Sequence, residues 1–515
     1  MLSTIHSVTI NGLQATRVLL EISIEPCKAQ REPAFVMVGL PDNAVKESHE
    51  RILSAVEYCG LRFPHQQVVV NMAPADIRKE GSAYDLPLAI GVMAADGKVN
   101  SERLDRYVIM GELGLDGHLM PIRGALPIAI KARELGYDGF ILPSQNAHEA
   151  AVVDRLKVYG VDSLLDVIQF LNGERELTPT EVDTRAEFYA RQSDFDLDFA
   201  DVKGQESVKR ALEVAAAGSH NIILIGPPGA GKSMMAKRLP SILPPLSLAE
   251  SLETTKIHSV AGRLPADGGL IATRPFRSPH HTISSVALVG GGTNPQPGEI
   301  SLAHNGVLYC DELPEFSHHV LEMLRQPLED RHITVSRAQA TVDYPANFMM
   351  VASMNPCPCG YYNHPTRPCI CTPTQVQRYL GRISGPLMDR FDLQCEIAPV
   401  PFGELASTAV GESSAAMRQR VIRARERQER RFASVPGVHC NAQMTGSLLR
   451  DHAQPDAEGL RLLQQAMVRL DLSARAYDRI LKVSRTIADL DDSDAIAAPH
   501  IAEAITYRSL DRSTL

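Results

Sequence analysis

The sequence has no apolar run long enough to cross a bilayer, and residues 1–10 are not a basic segment followed by an apolar stretch. These absences argue against a membrane-spanning or secreted protein. We therefore expect a cytoplasmic protein that makes no membrane contact.

Cysteine is also scarce, and basic residues are fewer than acidic ones. Nine cysteines in 515 residues cannot form the dense disulfide framework of small secreted domains, and four of them lie between Cys357 and Cys371. The net charge of -9 argues against a protein coated in basic residues for non-specific nucleic-acid binding. A local patch or a pore lining could still bind phosphates, so net charge does not decide the partner.

The chain exceeds the size at which one hydrophobic core keeps growing, so we expect several domains. Residues 1–175 mix alternating strands, as at 36–38 and 68–70, with helical stretches such as 44–58, and predict an α+β domain. Residues 176–203 are acidic and irregular, which is typical of a linker. Residues 204–400 open with a helix, an apolar strand and a glycine-rich turn, which predicts a parallel α/β core. Residues 401–515 have helical periodicity, as at 415–431, and predict a helical lid.

A glycine-rich segment directly after the apolar strand 222–225 matches the Walker A pattern at every fixed position. Its residues are Gly226, Pro227, Pro228, Gly229, Ala230, Gly231, Lys232 and Ser233. In such a loop, backbone N–H groups and a helix N-terminus hold phosphates, the lysine contacts the β and γ phosphates, and the serine ligates Mg²⁺. The segment predicts an ATP or GTP site, because a turn that merely ends a strand leaves the Lys-Ser pair unexplained.

A second apolar strand, residues 307–310, ends in two carboxylates, Asp311 and Glu312. The carboxyl ends of parallel strands form the ligand-binding edge of open α/β sheets, so we expect both acids near the glycine-rich loop. Asp311 would hold Mg²⁺ together with Ser233, and Glu312 would orient and polarise the attacking water. The pattern predicts nucleotide hydrolysis as well as binding.

Five segments together resemble the magnesium-chelatase-like AAA+ ATPases and, within that group, the ComM/YifB family. They are residues 202–205, the Walker A loop, the strand that ends at Asp311-Glu312, residues 354–360 and residues 387–392. The resemblance covers nearly the whole chain. It implies an α/β protein in which a P-loop AAA+ core with a parallel sheet and a helical lid binds ATP and Mg²⁺.

The resemblance also implies roles for single residues. Val202 would lie at the nucleotide, Asn355 would be the sensor 1 residue at the γ phosphate or the water, and Arg475 would be sensor 2. Arg390 would be an arginine finger inserted into a neighbour's site, which implies a homo-hexameric ring assembled by ATP and DNA. The residues alone leave open that Arg390 pairs with a neighbouring aspartate and that Arg475 is a solvated helix residue.

Members of this group carry two insertions that project towards the ring pore. The resemblance places a helix-2 insert at residues 284–299 and a hairpin before sensor 1 at residues 329–344. Arg331 and Arg337 would lie on this hairpin. Both insertions fall within the 204–400 core.

Residues 78–85, together with 111–113 and 120–124, are similar to the S5-like domain of Lon-type proteases, which uses a serine-lysine dyad. In this comparison the nucleophile position falls on Ala83 and the lysine position on Leu126. We therefore expect no peptidase activity, and Ser82, which lies beside the nucleophile position, lacks a base. Such a domain would serve as a ring-forming platform or a second nucleic-acid surface.

Cys357, Cys359, Cys369 and Cys371 could supply four thiolates to one tetrahedral Zn²⁺, although C-x₂-C is the usual spacing and here it is C-x-C. His364 is an alternative ligand. The other interpretation has reduced cysteines packing as small apolar groups.

Residues 418–431 contain seven arginines and two glutamates. Such a helix could contact phosphates, since arginines that neutralise phosphates release counterions. Charged helices are more often solvated faces with intrahelical ion pairs, and Glu426 and Arg430 have the spacing for one.

These observations predict an ATPase ring that translocates along single-stranded or branched DNA. The resemblance implies a helicase that promotes branch migration in homologous recombination during natural transformation, with recombination proteins as further partners. One alternative is a protein-remodelling ATPase like the magnesium-chelatase I subunit, which usually lacks the Lon-like domain. Another is an ATP-dependent protease, which would need a serine-lysine dyad or an aromatic pore loop.

Overall fold

The computed structural model describes residues 2–26, 34–265, 268–292, 295–337, 340–405 and 411–508. The chain divides into two compact units. Unit 1 comprises Met1–Ala190 and Ser251–Ile271, and unit 2 comprises Arg191–Glu250 and Ala272–Leu515. Unit 1 therefore includes a segment from within the range 204–400.

Unit 1 is built on a mixed sheet. Its strands are β1 Leu2–Asn11, β2 Gln14–Glu25, β3 Phe35–Val38, β4 Gln67–Ala73, β5 Tyr107–Ile109, β6 Glu112–Leu113, β7 Leu119–Met120, β8 Gly139–Pro143 and β9 Lys157–Val161. The main sheet has the order β3-β4-β2-β1-β5-β8-β9, and β6 pairs with β7. The β1-β2 and β2-β4 pairs are antiparallel and the other neighbours in the main sheet are parallel. The strands expected at 36–38 and 68–70 are confirmed.

Helices cover this sheet. They are α1 Asn43–Lys46, α2 Ser48–Tyr58, α3 Asp85–Ala95, α4 Ala125–Glu134, α5 Ser144–Ala151, α6 Leu164–Asn172 and α7 Thr184–Arg191. Every residue of α3 is buried, as expected for a helix that is apolar all round. The helical stretch expected at 44–58 is interrupted at Glu47, because Asp42 caps one short helix and Glu47 ends it.

Unit 2 contains a parallel sheet and two hairpins. Its strands are β10 Ile222–Ile225, β11 Phe276–Arg277, β12 Gly290–Gly291, β13 Gln296–Pro297, β14 Val307–Cys310, β15 His332–Arg337, β16 Ala340–Pro345, β17 Met349–Met354 and β18 Leu393–Glu396. The parallel sheet has the order β11-β14-β17-β10-β18, and β12-β13 and β15-β16 are antiparallel pairs. Strands β10, β14 and β17 are buried along their whole length, as central parallel strands are.

The helices that follow in the chain belong to unit 2, except that the helix at 248–260 lies mostly in unit 1. They are α8 Glu206–Gly218, α9 Lys232–Arg238, α10 Leu248–Val260, α11 Ser285–Val289, α12 Glu299–Leu302, α13 His318–Met323, α14 Arg325–Asp330, α15 Pro373–Leu380, α16 Gly385–Met388, α17 Phe402–Leu405, α18 Ser414–Phe432, α19 Gly446–His452, α20 Ala457–Arg469, α21 Ala474–Leu490 and α22 Ala498–Thr506. Those after residue 400 form the lid. Lid residues Ile480 and Ile487 share one hydrophobic core with sheet residues such as Val351. None of the described helices is long and apolar enough to span a membrane.

The acidic segment 176–203 is more ordered than its composition suggests. It contains α7 and a short 3-10 turn, Phe199–Asp201. Phe188 and Phe199 are both buried, and Phe199 belongs to the core of unit 2. Single aromatic anchors among many acids do not produce a recognisable hydrophobic period, so the sequence indicated only a linker.

Candidate nucleotide and magnesium site

Three parallel strands of unit 2 end at the same edge of the sheet. The Walker A loop follows β10, Asp311 follows β14, and Asn355 follows β17. Because β17 lies between β14 and β10, the residues after these strands converge. The edge expected from the sequence is therefore present.

Lys232 points back into the Walker A loop. It is the first residue of α9, preceded by Gly231 with a φ of 88°. Its Nζ donates to the carbonyl oxygens of Gly226 at 2.7 Å and Pro227 at 2.9 Å, and to Asn355 Oδ1 at 3.1 Å. The structure thus brings together the lysine and the sensor 1 residue predicted from the sequence. Burial lowers the pKa of Lys232, although the charges of Asp311 and of the glutamate beside it oppose the shift.

Ser233 and Asp311 form the pair of oxygen ligands expected for Mg²⁺. Ser233 Oγ donates to Asp311 Oδ2 at 2.8 Å. Adjacent ligands of an octahedral Mg²⁺ lie about 2.9 Å apart, given Mg–O bonds of about 2.0–2.1 Å. The separation and the chemistry of these oxygens therefore fit Mg²⁺. When bound, the ion would bridge and neutralise nucleotide phosphates.

Two residues that the sequence did not indicate support this pair. Ser353, on β17, donates to Asp311 Oδ1, and the Tyr309 hydroxyl lies within hydrogen-bond distance, 3.1 Å, of both Ser233 Oγ and Ser353 Oγ. Burial opposes ionisation of Asp311, but the hydrogen bonds from these hydroxyls outweigh it and hold the pKa of Asp311 below its usual value. A hydroxyl inside an apolar strand has no sequence signature, because its role depends on pairing with the neighbouring strand.

Glu312 has left-handed backbone geometry, with a φ of 53°. Its side chain is 59% exposed, and its Oε2 lies 3.8 Å from His281 Nδ1. Its backbone N–H donates to Asp311 Oδ1 at 3.1 Å, so the two acids are fixed relative to each other. His281 was not predicted, since β11 before it is only two residues long and leaves no recognisable strand pattern.

Val202 lies in the core of unit 2, with only 1% of its surface exposed. It follows the 3-10 turn and precedes α8. The structure does not bring it into the hydrogen-bonded group at the sheet edge. Its proposed role at the nucleotide stays a prediction.

Arg390 lies at the other end of the parallel strands, beside the residue that precedes β10. Asn221, which immediately precedes β10, donates through Nδ2 to the Arg390 carbonyl at 3.0 Å, and its own carbonyl accepts from the Asp392 N–H at 2.9 Å. The Walker A loop follows the other end of β10. Four residues of strand, about 13 Å, therefore separate Arg390 from the loop of its own chain.

Arg475 lies beside Arg390 and not beside Lys232. Its Nη1 donates to Asp389 Oδ2 at 3.0 Å, and its side chain is 71% exposed. Arg390 pairs with Glu329 and donates to the Arg325 carbonyl, so it does not make the pairing with a neighbouring aspartate that the sequence left open. The two arginines line one small cavity of 190 Å³.

Family models match most of the chain. One described as magnesium chelatase, subunit ChlI, matches residues 198–405, one described as subunit ChlI of Mg-chelatase matches 24–146, and one for the ChlI C-terminal region matches 411–508. Competence protein ComM of Haemophilus influenzae is 43% identical over 99% of this chain and 98% of its own length. The chain belongs to the ComM/YifB family. A protein named YifB in Escherichia coli is equally similar, with 43% identity over 99% of the chain and 98% of its own length.

The magnesium-chelatase subunits themselves are more distant from this ComM/YifB chain. The 38 kDa subunit of Rhodobacter capsulatus is 26% identical over 31% of the chain and 50% of its own length. The mixed α/β fold with a parallel sheet is consistent with a magnesium-chelatase-like AAA+ fold. Family and site together indicate an ATPase that uses Mg²⁺.

The four clustered cysteines of this ComM/YifB chain come together in space. Their sulfur atoms all lie within 4.8 Å of one another, so they could hold a metal ion such as Zn²⁺. Burial opposes ionisation of the Cys359 thiol, but backbone N–H groups of Tyr361 and Ile370 and the neighbouring thiols lower its pKa. His364 instead accepts hydrogen bonds at Nδ1 from the N–H groups of Thr366 and Arg367.

The basic helix α18 is a structural element of unit 2. Its arginines contact other elements: Arg418 the carbonyls of Leu243 and Gln192, Arg420 the carboxylates of Glu213 and Glu412, Arg425 the carbonyls of Ala216 and Ala217, Arg427 Asp494, and Arg431 Asp489. Arg430 does bond within the helix, to the Glu426 carbonyl. The phosphate-binding interpretation loses its support, because most of these guanidinium groups are already used to dock the helix.

Proposed function

We propose that the protein is an ATP-driven ring motor that acts on DNA and promotes branch migration in homologous recombination during natural transformation. The ATPase site supports the ATP-driven part. The similarity to a competence protein over nearly the whole length of both chains supports the biological setting. The proposed partners are single-stranded or branched DNA, further copies of the chain, and recombination proteins.

The position of Arg390 is the observation that carries the ring. Charge stabilisation by an arginine speeds phosphoryl transfer only if the guanidinium reaches the transferred phosphoryl group. About 13 Å of strand separates Arg390 from its own Walker A loop, which is beyond the reach of an arginine side chain. A neighbouring copy can bring its loop to this edge, so that Arg390 and Arg475 act on the neighbour's nucleotide in a closed ring, which we propose is a hexamer.

Two small insertions of unit 2 form one structured region that would face DNA. The hairpin β15-β16 buries Ile333, Val335 and Val342 on one face, while Thr334 and Asp343 form a hydrogen bond on the exposed face. Tyr344, at its base, donates to the Pro295 carbonyl at 2.7 Å and so joins the hairpin to the helix-2 insert. Arg331 immediately precedes β15 and Arg337 ends it, although the Arg337 side chain lies outside the described residues.

We propose that unit 1 is a Lon-like domain without peptidase activity. The nucleophile position, Ala83, lies in the 3-10 turn Ser82–Tyr84 and has no hydroxyl. The lysine position, Leu126, is fully buried, and its backbone N–H donates to Glu149. A dyad cannot form from these two residues. The unit would instead serve as a platform for ring assembly or for DNA.

The decisive test is the ATPase rate of the purified full-length protein with and without single-stranded DNA. Lys232→Ala is the matched control for contaminating hydrolysis, and casein is the comparison with a protein substrate. Mass measurements under the same conditions report ring assembly. We expect DNA to stimulate hydrolysis and promote assembly, and added salt to reverse both because phosphate contacts release counterions.

An ATPase rate that does not change with DNA but rises with a protein substrate would contradict the proposal and favour a remodelling ATPase like the magnesium-chelatase subunits. Stimulation by DNA would justify assays on forked and four-way DNA. If the protein converts neither substrate in an ATP-dependent way, the proposed branch-migration activity is contradicted, and only a DNA-stimulated ATPase activity remains.

A further inference from the structure

The segment between β17 and α15 is a long irregular loop without a hydrophobic core of its own. Among residues 355–372, all of which the structure describes, Cys357 is the one buried side chain, and Ile370 is 84% exposed. Long irregular stretches are uncommon inside compact domains, because few contacts offset the entropy of ordering them. The loop therefore needs another source of order.

Four cysteine thiols of this loop lie close together and could supply that order by binding a metal ion. Cys357 Sγ lies 3.3 Å from Cys359 Sγ and 3.7 Å from Cys369 Sγ, and Cys359 and Cys369 are 3.5 Å apart. A disulfide requires about 2.05 Å, so these are free thiols. Four sulfurs at about 2.3 Å from a tetrahedral Zn²⁺ lie about 3.8 Å apart, close to the observed distances.

The surroundings of the sulfurs suit a thiolate-bound cation. Backbone N–H groups of Tyr361 and Ile370 lie near the Cys359 sulfur, the kind of outer contact that orients metal-binding thiolates. Arg378 lines the same cleft as Cys359 and Cys371 and would offset part of the double negative charge of a four-thiolate zinc site, while Arg382 in that cleft is paired with Glu315.

We propose that Cys357, Cys359, Cys369 and Cys371 bind one structural Zn²⁺, and that this site braces the Walker A loop for nucleotide binding. A closed site with four protein ligands is typical of structural zinc, and its binding energy is folding energy for the segment that it closes. The ion would replace the missing hydrophobic core of residues 355–372.

The contact between residues 355–372, here called the cysteine loop, and the Walker A loop is made at Gly360, directly after Cys359. Gly360 is buried with a φ of 85°, and a Cβ atom there would lie 2.5 Å from Pro228 Cδ in the Walker A loop. The cysteine loop thus packs its backbone against the phosphate-binding loop. Displacing this contact would shift the backbone N–H groups that hold phosphates.

Two further contacts lead from the cysteine loop to the catalytic residues. Tyr379, on the helix that starts two residues after Cys371, lies near the Asn355 backbone. On the same segment, Arg382 Nη1 donates to Glu315 Oε1 at 2.9 Å, three residues after Glu312. By ordering this segment, the zinc site would fix the positions of both Asn355 and the residues that follow Glu312.

The first experiment measures zinc per chain in the full-length protein purified without chelators. We expect about one zinc in the wild type and in Cys59→Ser, which changes a partly exposed cysteine outside the cluster. Cys359→Ser and Cys371→Ser should lose most of it. Cobalt replacement should give the absorption of tetrahedral thiolate-bound cobalt. A wild-type protein that contains no zinc and takes up neither metal would overturn the site, however the variants fold.

The second experiment tests the brace by binding of a fluorescent ATP analogue, which requires neither DNA nor hydrolysis. Gly360→Ala should keep its zinc yet bind nucleotide about tenfold more weakly, a change of about 1.4 kcal/mol in binding free energy, because the added Cβ atom would displace Pro228. Gly437→Ala is the matched control, since Gly437 has a similar φ of 75° but open space around it. Normal nucleotide affinity in both Gly360→Ala and a folded, zinc-depleted Cys359→Ser would overturn the brace.

Discussion

His281 is the residue most directly placed to control Glu312. Its ring lies 3.8 Å from the Glu312 carboxylate, and both side chains are partly exposed. We expect His281→Ala to lower kcat severalfold, as loss of an orienting contact of about 1 kcal/mol would, with little change in nucleotide affinity. Steady-state hydrolysis and analogue binding measure the two effects separately.

Glu312→Gln provides the reference for this prediction, because it keeps the shape of the side chain but removes the carboxylate that we expect to polarise the attacking water. It should reduce kcat far more than His281→Ala while nucleotide still binds. An unchanged kcat in His281→Ala would show that the contact has no role in hydrolysis.

A cluster of buried polar side chains connects the sheet to the lid. His220 Nδ1 lies 3.0 Å from Asp392 Oδ2 and its Nε2 lies 2.7 Å from Thr486 Oγ1, while Arg479 donates to Asp392 at 2.7 Å. Burial lowers the pKa of His220, so the folded protein holds it neutral. The unfolded chain takes up this proton below about pH 6.5, which favours unfolding.

The stabilising contribution of His220 is therefore complete above about pH 6.5 and is lost as the pH falls below it. The loss grows as the pH falls, because the unfolded chain gains a proton that burial of the ring disfavours in the folded chain. Denaturant unfolding at about pH 7.5 and about pH 5.5 should show a larger acid destabilisation in the wild type than in His220→Gln. Equal losses in both proteins would show that His220 is not the titrating group.

The residues predicted from the sequence and those it missed differ in a physical way. Lys232, Ser233 and Asp311 lie in short contiguous patterns whose chemistry requires neighbours along the chain. Ser353 and His281 contact residues that are distant in the sequence, which no local pattern encodes. The roles of Arg390 and Arg475 came from family resemblance, and their shared edge became visible only in the fold.

At the scale of elements, α18 is a helix fixed by its own arginines. Arg431 donates to both carboxylate oxygens of Asp489, whose side chain is fully buried. We expect Arg431→Ala to destabilise the protein by about 2 to 3 kcal/mol, because a buried carboxylate loses a partner while Arg485 still contacts it. Arg423→Ala, on the exposed face of the same helix, should change stability by less than about 0.5 kcal/mol.

Chemical denaturation of both variants measures this difference. Equal and small effects would indicate a solvated helix and return α18 to consideration as a phosphate-binding surface. DNA affinity measured at several salt concentrations would then decide that point.

Long periodic elements were predictable because their patterns are strong. The helix expected at 415–431 is found as Ser414–Phe432, and the strand expected at 222–225 is found with the same bounds. The environment of a helix was not predictable in the same way, since the seven arginines look alike in sequence whether they face solvent or carbonyl oxygens.

At the scale of the whole molecule, an arginine that acts on a neighbour predicts recovery in mixed rings. Lys232→Ala and Arg390→Ala should each be inactive alone. In a mixture, an Arg390→Ala chain keeps an intact Walker A loop and can receive Arg390 from a Lys232→Ala neighbour. Random equal mixing makes about a quarter of the interfaces competent, so DNA-stimulated hydrolysis should return to a fraction of the wild-type rate.

Mixing under conditions in which subunits exchange, followed by an ATPase measurement, tests this directly. A mixture of Lys232→Ala with Lys232→Ala/Arg390→Ala, which contains no intact loop, is the control. Activity that stays at the level of the separate variants would indicate that the arginine does not act between chains.

The route of the chain between its two units has a practical consequence. Helix α10 passes from unit 2 to unit 1 after Glu250, and the chain returns to unit 2 at Ala272. Within unit 1, Ser259 hydrogen-bonds the buried Glu149. A truncation at residue 190 therefore gives no intact fragment on either side of the cut, because the first piece loses 251–271 and the second carries it without its packing partners. An isolated ATPase unit has to be made by internal excision of this segment.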